Sequence, residues 1–219
     1  MDISYILRIM PALMQGLGET LKLFLLTLVF ALPLGMMVTL GNISRVPPLR
    51  WLSRLYIWVF RGTPLMLQLF FVYYGLPFLG LRFERFPAAV LTFVLNYAAY
   101  FAEIYRAGIQ SIDRGQHEAA RTLGFTHWQT MRFIIIPQTV SRVIPPVCNE
   151  TITLVKDTAL VTAIGVGELL KAAQGAVNRD VNITGYVLAA LIYLLLTFVL
   201  TVMYERLEKR FSRHEKKEA

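Results

Sequence analysis

The stretch TLKLFLLTLVFALPLGMMVTLG, positions 20–41, carries one charge, Lys22, near its start and none after it. A second run, TGYVLAALIYLLLTFVLTVMY at 184–204, carries none. A helix needs about 20 predominantly apolar residues to cross a hydrocarbon core of about 30 Å, so each run is long enough to span a bilayer. The composition agrees: of 219 residues, 56% are hydrophobic and 16% charged, and the mean hydropathy is +0.53. This is a membrane composition, well above the apolar share of an ordinary soluble domain.

Three further apolar regions complete an all-α membrane protein with five expected spans in a single domain, 1–219. LMLQLFFVYYGLPFLGL at 65–81 is entered through Pro64, and PAAVLTFVLNYAAYFAEIY at 87–105 carries Asn96 and Glu103. The region 134–164 is interrupted by Pro137, Pro145 and Pro146 and holds Asn149, Glu150, Lys156 and Asp157. Proline at membrane depth survives where neighbouring helices or water satisfy the freed carbonyls, so this region is expected to be a broken, polar-lined span inside a bundle. Ahead of the first span, Ile3, Ile6, Leu7, Met10, Met14 and Leu17 recur at helical spacing. A short interfacial helix accounts for them, and a frayed tail does so equally well.

Basic residues then set the orientation. Arg45, Arg50, Arg54 and Arg61 lie in one connection, and Arg106, Arg114, Arg121 and Arg132 in another. Arg206, Lys209, Arg210, Arg213, Lys216 and Lys217 follow the last span. These segments are expected in the cytoplasm, with the N-terminus outside and the C-terminus inside. The net charge of +8 and pI of about 9.8 thus reflect topology rather than nucleic-acid binding. One cysteine, Cys148, allows no intrachain disulfide, and His117, His127 and His214 are too scattered to suggest a metal site. The first residues lack a basic region followed by an apolar one, so no cleaved signal peptide is expected.

One cytoplasmic stretch departs from the greasy pattern. QHEAARTLG, 116–124, is alanine-rich with high helix propensity, and Gly124 can end it in a left-handed conformation. Thr126 and Gln129 form a possible capping box for a second helix returning to the membrane. Ala119 and Ala120 leave part of the surface flat, while Glu118 and Arg121 offer directed charge. That profile suits a docking helix, and composition alone fits a solvated loop as well.

Spacing also orders the polar groups at membrane depth. Asn96 and Glu103 are seven apart, as are Glu150 and Asp157, and seven helical residues return to nearly the same face. Tyr100 shares the first stripe and Thr153 the second. Ionisable groups at the bilayer centre cost about 2.5–3.5 kcal/mol on insertion scales, so each needs a partner or water. An internal ion-pair network of Glu150, Lys156 and Asp157 meets that need, as does a ligand. For Glu103, an ion pair with Arg106 at i+3 is the commoner explanation. Arg61 suits headgroup anchoring or a subunit contact, and Tyr73, Tyr74, Trp51 and Trp58 suit packing or the interface.

Glu118-Ala119-Ala120, three residues, Gly124, nine residues, then Ile134-Ile135-Ile136-Pro137 resembles the E-A-A-x3-G-x9-I-x-L-P motif of permease subunits of bacterial ABC importers. Ile136 stands where leucine is usual. FRGTPLMLQLFFVYYGLP (60–77), NYAAYFAEIYRAGIQSI (96–112) and NETITLVKDTALVTAIGVGEL (149–169) resemble the polar amino acid branch, so the likeness covers nearly the whole chain. The resemblance implies the type I importer permease fold. It also implies a location in the bacterial cytoplasmic membrane and a coupling helix at 116–124 that meets the ATPase through Glu118, Ala119, Ala120 and Gly124. Partners implied are two ABC ATPase subunits, an extracytoplasmic solute-binding protein and a second permease subunit, either an identical copy or a paralogue. The chain has no G-x-x-x-x-G-K-S/T loop. ATP and Mg are therefore expected on the ATPase partner, with no cofactor, metal or catalytic residue in this chain. Some polar amino acid permeases bind substrate halfway across the membrane through carboxylates matching 150–157. That role passes to Glu150 and Asp157, then to Glu103 and Asn96, and more weakly to Thr63 and Gln68. Two carboxylates would suit arginine, histidine or cystine, whereas glutamine needs one. Two rivals remain: a membrane scaffold that recruits a cytoplasmic protein without transport, and an intramembrane enzyme, which lacks any nucleophile or metal arrangement.

Overall fold

The computed structural model describes residues 3–212, with side chains through Arg210. Every regular element among them is helical. Helix α1 runs unbroken over Ile3–Asn42, 40 residues. At 1.5 Å per residue it is about 60 Å long, twice a hydrocarbon core. The expected interfacial helix and first span are therefore one rod. Nothing at the joint stops the helix, because Gly16 and Gly18 cost only about 1 kcal/mol each against alanine. Gly16 also has a packing purpose, since a Cβ there would lie 2.9 Å from the carbonyl oxygen of Glu168.

Helix α2, Pro47–Gly62, begins on a proline whose missing N–H needs no partner at a helix start. The connection expected as a basic loop is thus mostly helix. Helix α3, Leu65–Phe70, continues through a π turn at Phe71–Gly75 and a 3-10 turn at Leu76–Leu79. It meets α2 at a bend of 103°. Helix α4, Arg85–Gln110, contains the expected third span. Helix α5, Arg114–Thr122, and α6, His127–Thr130, form the polar hairpin. A π turn at Met131–Ile135 then leads into α7, Ile136–Asp157.

The fourth apolar region breaks elsewhere than its prolines suggest. Helix α7 runs continuously through Pro145 and Pro146. The irregular geometry lies at the π turn ahead of Pro137 and in the 3-10 turn Thr158–Ile164, after which Gly165 reverses the chain at φ +80°. The connection between the fourth and fifth apolar regions holds a helix, α8, Leu169–Asp180. Only Leu169, Ala173 and Ala176, at i, i+4 and i+7, form its buried face. Helix α9, Thr184–Ser212, closes the described chain. Among the described residues α1, α4 and α9 are each long and apolar enough to cross a membrane. The count rises to five if the bent pairs α2–α3 and α6/α7–α8, the latter bent by 52°, each make one crossing.

The core lies where α4 meets α1 and α7. Phe93, Tyr97 and Phe101 of α4 pack with Leu23, Phe24 and Ala31 of α1 and Leu154 and Val155 of α7. Close approach depends on small residues, as in membrane helix contacts generally: a Cβ on Gly35 would stand 2.9 Å from Cβ of Phe101. One turn on, Thr39 donates to both Gly35 O at 2.8 Å and Ala102 O at 3.0 Å, so its hydroxyl is satisfied and points into the neighbouring helix.

Candidate functional site

The polar hairpin is closed at both ends by its own residues. Asp113 caps α5, accepting from the Gly115 N–H at 2.6 Å. At the other end, Gly124 takes φ +80°. Its N–H donates to Arg121 O and the Phe125 N–H to Ala120 O, each at 3.0 Å. These two bonds are the Schellman pattern that satisfies a helix's last carbonyls. The capping box expected of α6 is present: the Gln129 N–H donates to Thr126 Oγ1 at 3.3 Å, and the Thr126 N–H to Gln129 Oε1 at 2.8 Å. With a cap at each joint, the hairpin has few loose carbonyls or amides to flex around.

Ala120 is buried, whereas Glu118 and Ala119 are exposed. The flat surface expected of both alanines is therefore Ala119 alone, and Ala120 seats the helix. An open groove of about 430 Å³ beside α5 is lined by Arg114, His117, Glu118, Arg121, Phe125 and His127, with Thr130 at its base. On the same segment Leu123, Trp128 and Phe133 are 75%, 69% and 61% exposed. The charge pattern of the segment does not mark these apolar groups, although Leu, Trp and Phe in a polar hairpin are a readable sign of a contact surface. Gln138 of α7 ties the hairpin to the bundle by donating to Gln116 Oε1 at 3.4 Å, and Arg142 of α7 holds the end of α4 just ahead of it, donating to Ser111 O and to its Oγ at 3.1 Å.

The polar residues expected at membrane depth divide into two groups. Asp157 sits at the C-terminal end of α7, where its Oδ2 accepts from the Tyr97 hydroxyl of α4 at 2.7 Å. Two turns back along α7, Glu150 lines an open groove of about 600 Å³ together with Arg61, Tyr100, Glu103, Asn149 and Arg142. Within it, Glu103 accepts from Arg106 through both oxygens, as its spacing suggested. Arg61 stands 3.9 Å from Glu103 and 5.3 Å over the Tyr100 ring. None of the ion pairs among the described residues includes Glu150, Lys156 or Asp157, so an internal network does not tie these three together. α7 and α4 thus bring Glu150 and Glu103 into one groove, and Asp157 lies two turns further along α7, outside its lining.

Asn96, Gln68 and Thr63 lie apart from that groove, at the joint between α2 and α3. Asn96 Nδ2 donates to Phe60 O and to Gln68 Oε1, each at 3.0 Å. Gln68 Nε2 donates to Phe60 O at 2.9 Å, Thr63 O at 3.1 Å and Thr63 Oγ1 at 2.8 Å. The sharp bend leaves the Phe60 and Thr63 carbonyls without helical partners, and these amides supply them. Asn96 is 3% exposed, with both amide donors occupied.

Glu168, absent from the expected site residues, is the most enclosed carboxylate among the described residues, at 0% exposure. It caps α8, accepting from the Leu170 N–H at 2.8 Å and the Lys171 N–H at 2.7 Å. It also accepts from Thr162 and, at 2.7 Å, from the Tyr193 hydroxyl. Beside it the Leu169 N–H donates to Thr20 of α1 at 3.2 Å. One side chain thus joins the chain reversal, α8 and α9 next to α1. Glutamate is an uncommon helix cap, and no spacing rule marks it in the sequence.

Comparison with known proteins matches residues 31–213 to the family described as binding-protein-dependent transport system inner membrane component. The L-cystine transport system permease protein TcyB of Bacillus subtilis is 40% identical, covering 93% of this chain and 88% of that protein. The arginine transport system permease protein ArtQ of the same organism is 39% identical over 98% and 99%. The glutamine transport system permease protein GlnP of Escherichia coli is 36% identical over 96% and 98%. A crystal structure of an amino acid ABC transporter with histidines superposes with a TM-score of 0.91 at 36% identity, covering 96% of this chain and 99% of that one. The MetNI methionine transporter in an inward-facing form shares the fold, with a TM-score of 0.75 at 20% identity over 96% and 99%. The chain therefore belongs to the binding-protein-dependent transport system inner membrane components, the membrane-embedded permease subunits of ABC importers.

Proposed function

We propose that this permease moves a polar amino acid inward across the bacterial cytoplasmic membrane by alternating access, with five crossings, its N-terminus outside and its C-terminus inside. The observation that carries the reading is the wall on which Glu150 and Glu103 face Arg61 and Arg142 in one groove, with Asp157 two turns further along the same face of α7. A zwitterion has an ammonium and a carboxylate to place, and a mixed wall answers both. The transport systems named for the similar permeases carry cystine, arginine and glutamine. Glu150 and Asp157 are assigned the substrate's ammonium groups. Glu103 contributes more weakly because Arg106 already holds it. Asn96, Gln68 and Thr63 act at one remove, by setting the α2–α3 bend.

Energy comes from two separate ATPase subunits that bind ATP and Mg and dock on α5 through Glu118, Ala119, Ala120 and the Gly124 turn. A second permease subunit completes the pathway, and an extracytoplasmic solute-binding protein delivers the substrate. The doubly capped hairpin supports the coupling role, because a stiff element transmits a displacement that a loose loop would absorb. In vesicles containing the assembled transporter, Glu150→Gln and Asp157→Asn are expected to abolish uptake of labelled amino acid while leaving basal ATP hydrolysis. Gly124→Asp and Glu118→Lys are expected to insert normally yet separate hydrolysis from uptake. Normal uptake by either pair sinks the corresponding assignment. A scaffold without transport predicts no stimulation of hydrolysis by loaded binding protein.

A further inference from the structure

Helix α2 has three distinct faces. Ser53 and Ile57 are buried against the bundle. Trp51, Leu55 and Trp58, at i, i+4 and i+7, form an apolar face and are 65%, 38% and 73% exposed. Between these faces runs a basic stripe, Arg50, Arg54 and Arg61, whose spacings of four and seven share one side of a helix. The stripe opens onto a groove of about 540 Å³ between α2 and α4, lined by Arg54, Trp58, Arg61 and Arg106 with one carboxylate, Glu103, which accepts from Arg106 and stands 3.9 Å from Arg61, leaving an excess of two positive charges. Asn42 and Gln110 lie on the rim and hold two of the guanidinium groups: Arg54 Nε donates to Asn42 Oδ1 at 3.3 Å, and Arg106 donates to Gln110. The segment 42–64 contains no acidic residue that could neutralise the excess.

We propose that this groove binds the headgroup phosphate of an anionic phospholipid, with the acyl chains lying along Trp51, Leu55 and Trp58. Guanidinium groups present a planar fork that matches phosphate oxygens. An arginine-bearing helix with tryptophan and leucine on its other face sits naturally at the headgroup boundary. The charge separates this occupant from a second copy of the chain. A twofold contact through this face would bring the same basic stripe against itself, whereas an anionic headgroup neutralises it. Zwitterionic lipid offers the same phosphate together with a cation of its own, so the net-anionic lipid is preferred.

The full-length chain carrying Trp51→Phe and Trp128→Phe has Trp58 as its single tryptophan. It is reconstituted into vesicles containing phosphatidylglycerol or phosphatidylcholine with brominated acyl chains, and Trp58 fluorescence is read against lipid mole fraction. Phosphatidylglycerol is expected to reach half-quenching at roughly thirtyfold lower mole fraction, as two net charges near a surface require. Arg54→Gln, alone or with Arg61→Gln, should bring the ratio towards one. Arg45→Gln, which removes an equal charge outside the groove, should preserve it. Selectivity should also survive excess inorganic phosphate compared with chloride at equal ionic strength. Equal quenching by both lipids overturns the proposal, as does equal loss of selectivity in Arg45→Gln. Displacement by inorganic phosphate would assign the groove to the free anion. Failure of either lipid to quench Trp58 would mean that protein covers the face.

Discussion

The Tyr97 hydroxyl donates to Oδ2 of Asp157 at 2.7 Å, joining α4 to α7 across 60 residues of sequence. Tyr97 is 1% exposed and its ring packs among Phe93, Tyr100 and Phe101, so the donor is held still. The bond orients a carboxylate two turns along α7 from Glu150. Tyr97→Phe keeps the ring and removes only the donor. It is expected to cost about 1.5–3 kcal/mol of stability, the range for a hydrogen bond to a charged group. It should also raise KM for uptake more than it lowers the maximal rate. Thermal unfolding of the purified chain and uptake by the assembled transporter measure the two effects. Wild-type values in both would show that the hydroxyl does not position Asp157.

Gly124 separates backbone strain from crowding. A Cβ there meets nothing within 4 Å, yet φ is +80°, a conformation that costs an L residue about 1 kcal/mol or more. Gly124→Ala should therefore lose about 1 kcal/mol of hairpin stability. Gly124→Asn, whose side chain tolerates the left-handed region, should lose less. Hydrogen exchange at the Phe125 amide, which donates to Ala120 O, reports the opening directly. Equal protection in both variants would mean that the turn does not depend on φ.

What the sequence made legible follows the range of the interactions involved. The Gly124 turn and the Thr126–Gln129 box depend on residues within three or four positions of one another, and both formed where local pattern put them. The shared face of Glu150 and Asp157 needed only helical period. Length was less informative: residues 3–17 and 20–41 looked like two units because a span's length is bounded by the bilayer, while nothing in the chemistry of Gly16 or Gly18 stops a helix. Prolines misled for a related reason. Pro145 and Pro146 each remove one backbone donor, which α7 absorbs, whereas the turn after Asp157 arises without proline. Least legible were contacts between distant positions. Asn96 looked like a pathway residue because its stripe was polar, and only the fold brings the Phe60 carbonyl and Gln68 to it.

The joint of α2 and α3 yields a double-mutant prediction. Asn96 and Gln68 share a hydrogen bond and a common acceptor, Phe60 O. Replacing either by leucine should leave that carbonyl with one donor, and replacing both should leave it with none. The two losses should fail to add by about 0.5–3 kcal/mol, the range for residues in one network. Unfolding midpoints of Asn96→Leu, Gln68→Leu and the pair give the coupling. Additivity within about 0.3 kcal/mol would show that the two amides act independently.

Glu168 permits the sharpest stability test because its four donors are all identified. An ionised carboxylate presents about four lone-pair sites and no proton, which matches the hydroxyls of Thr162 and Tyr193 and the amides of Leu170 and Lys171. Glu168→Gln keeps the shape but turns one end into an NH2 group facing donors, so at least one bond becomes a donor–donor contact in a site with no solvent exposure. The expected loss is about 2–4 kcal/mol, since an unsatisfied buried group adds its desolvation cost to the lost bond. Tyr193→Phe removes one donor and leaves the carboxylate with three, so it should lose nearer the lower end of the roughly 1.5–3 kcal/mol for a hydrogen bond to a charged group. Thermal unfolding in detergent should therefore rank Glu168→Gln below Tyr193→Phe and both below the unsubstituted chain. The reverse order would mean that Tyr193, rather than the carboxylate, organises the meeting of α1, α8 and α9.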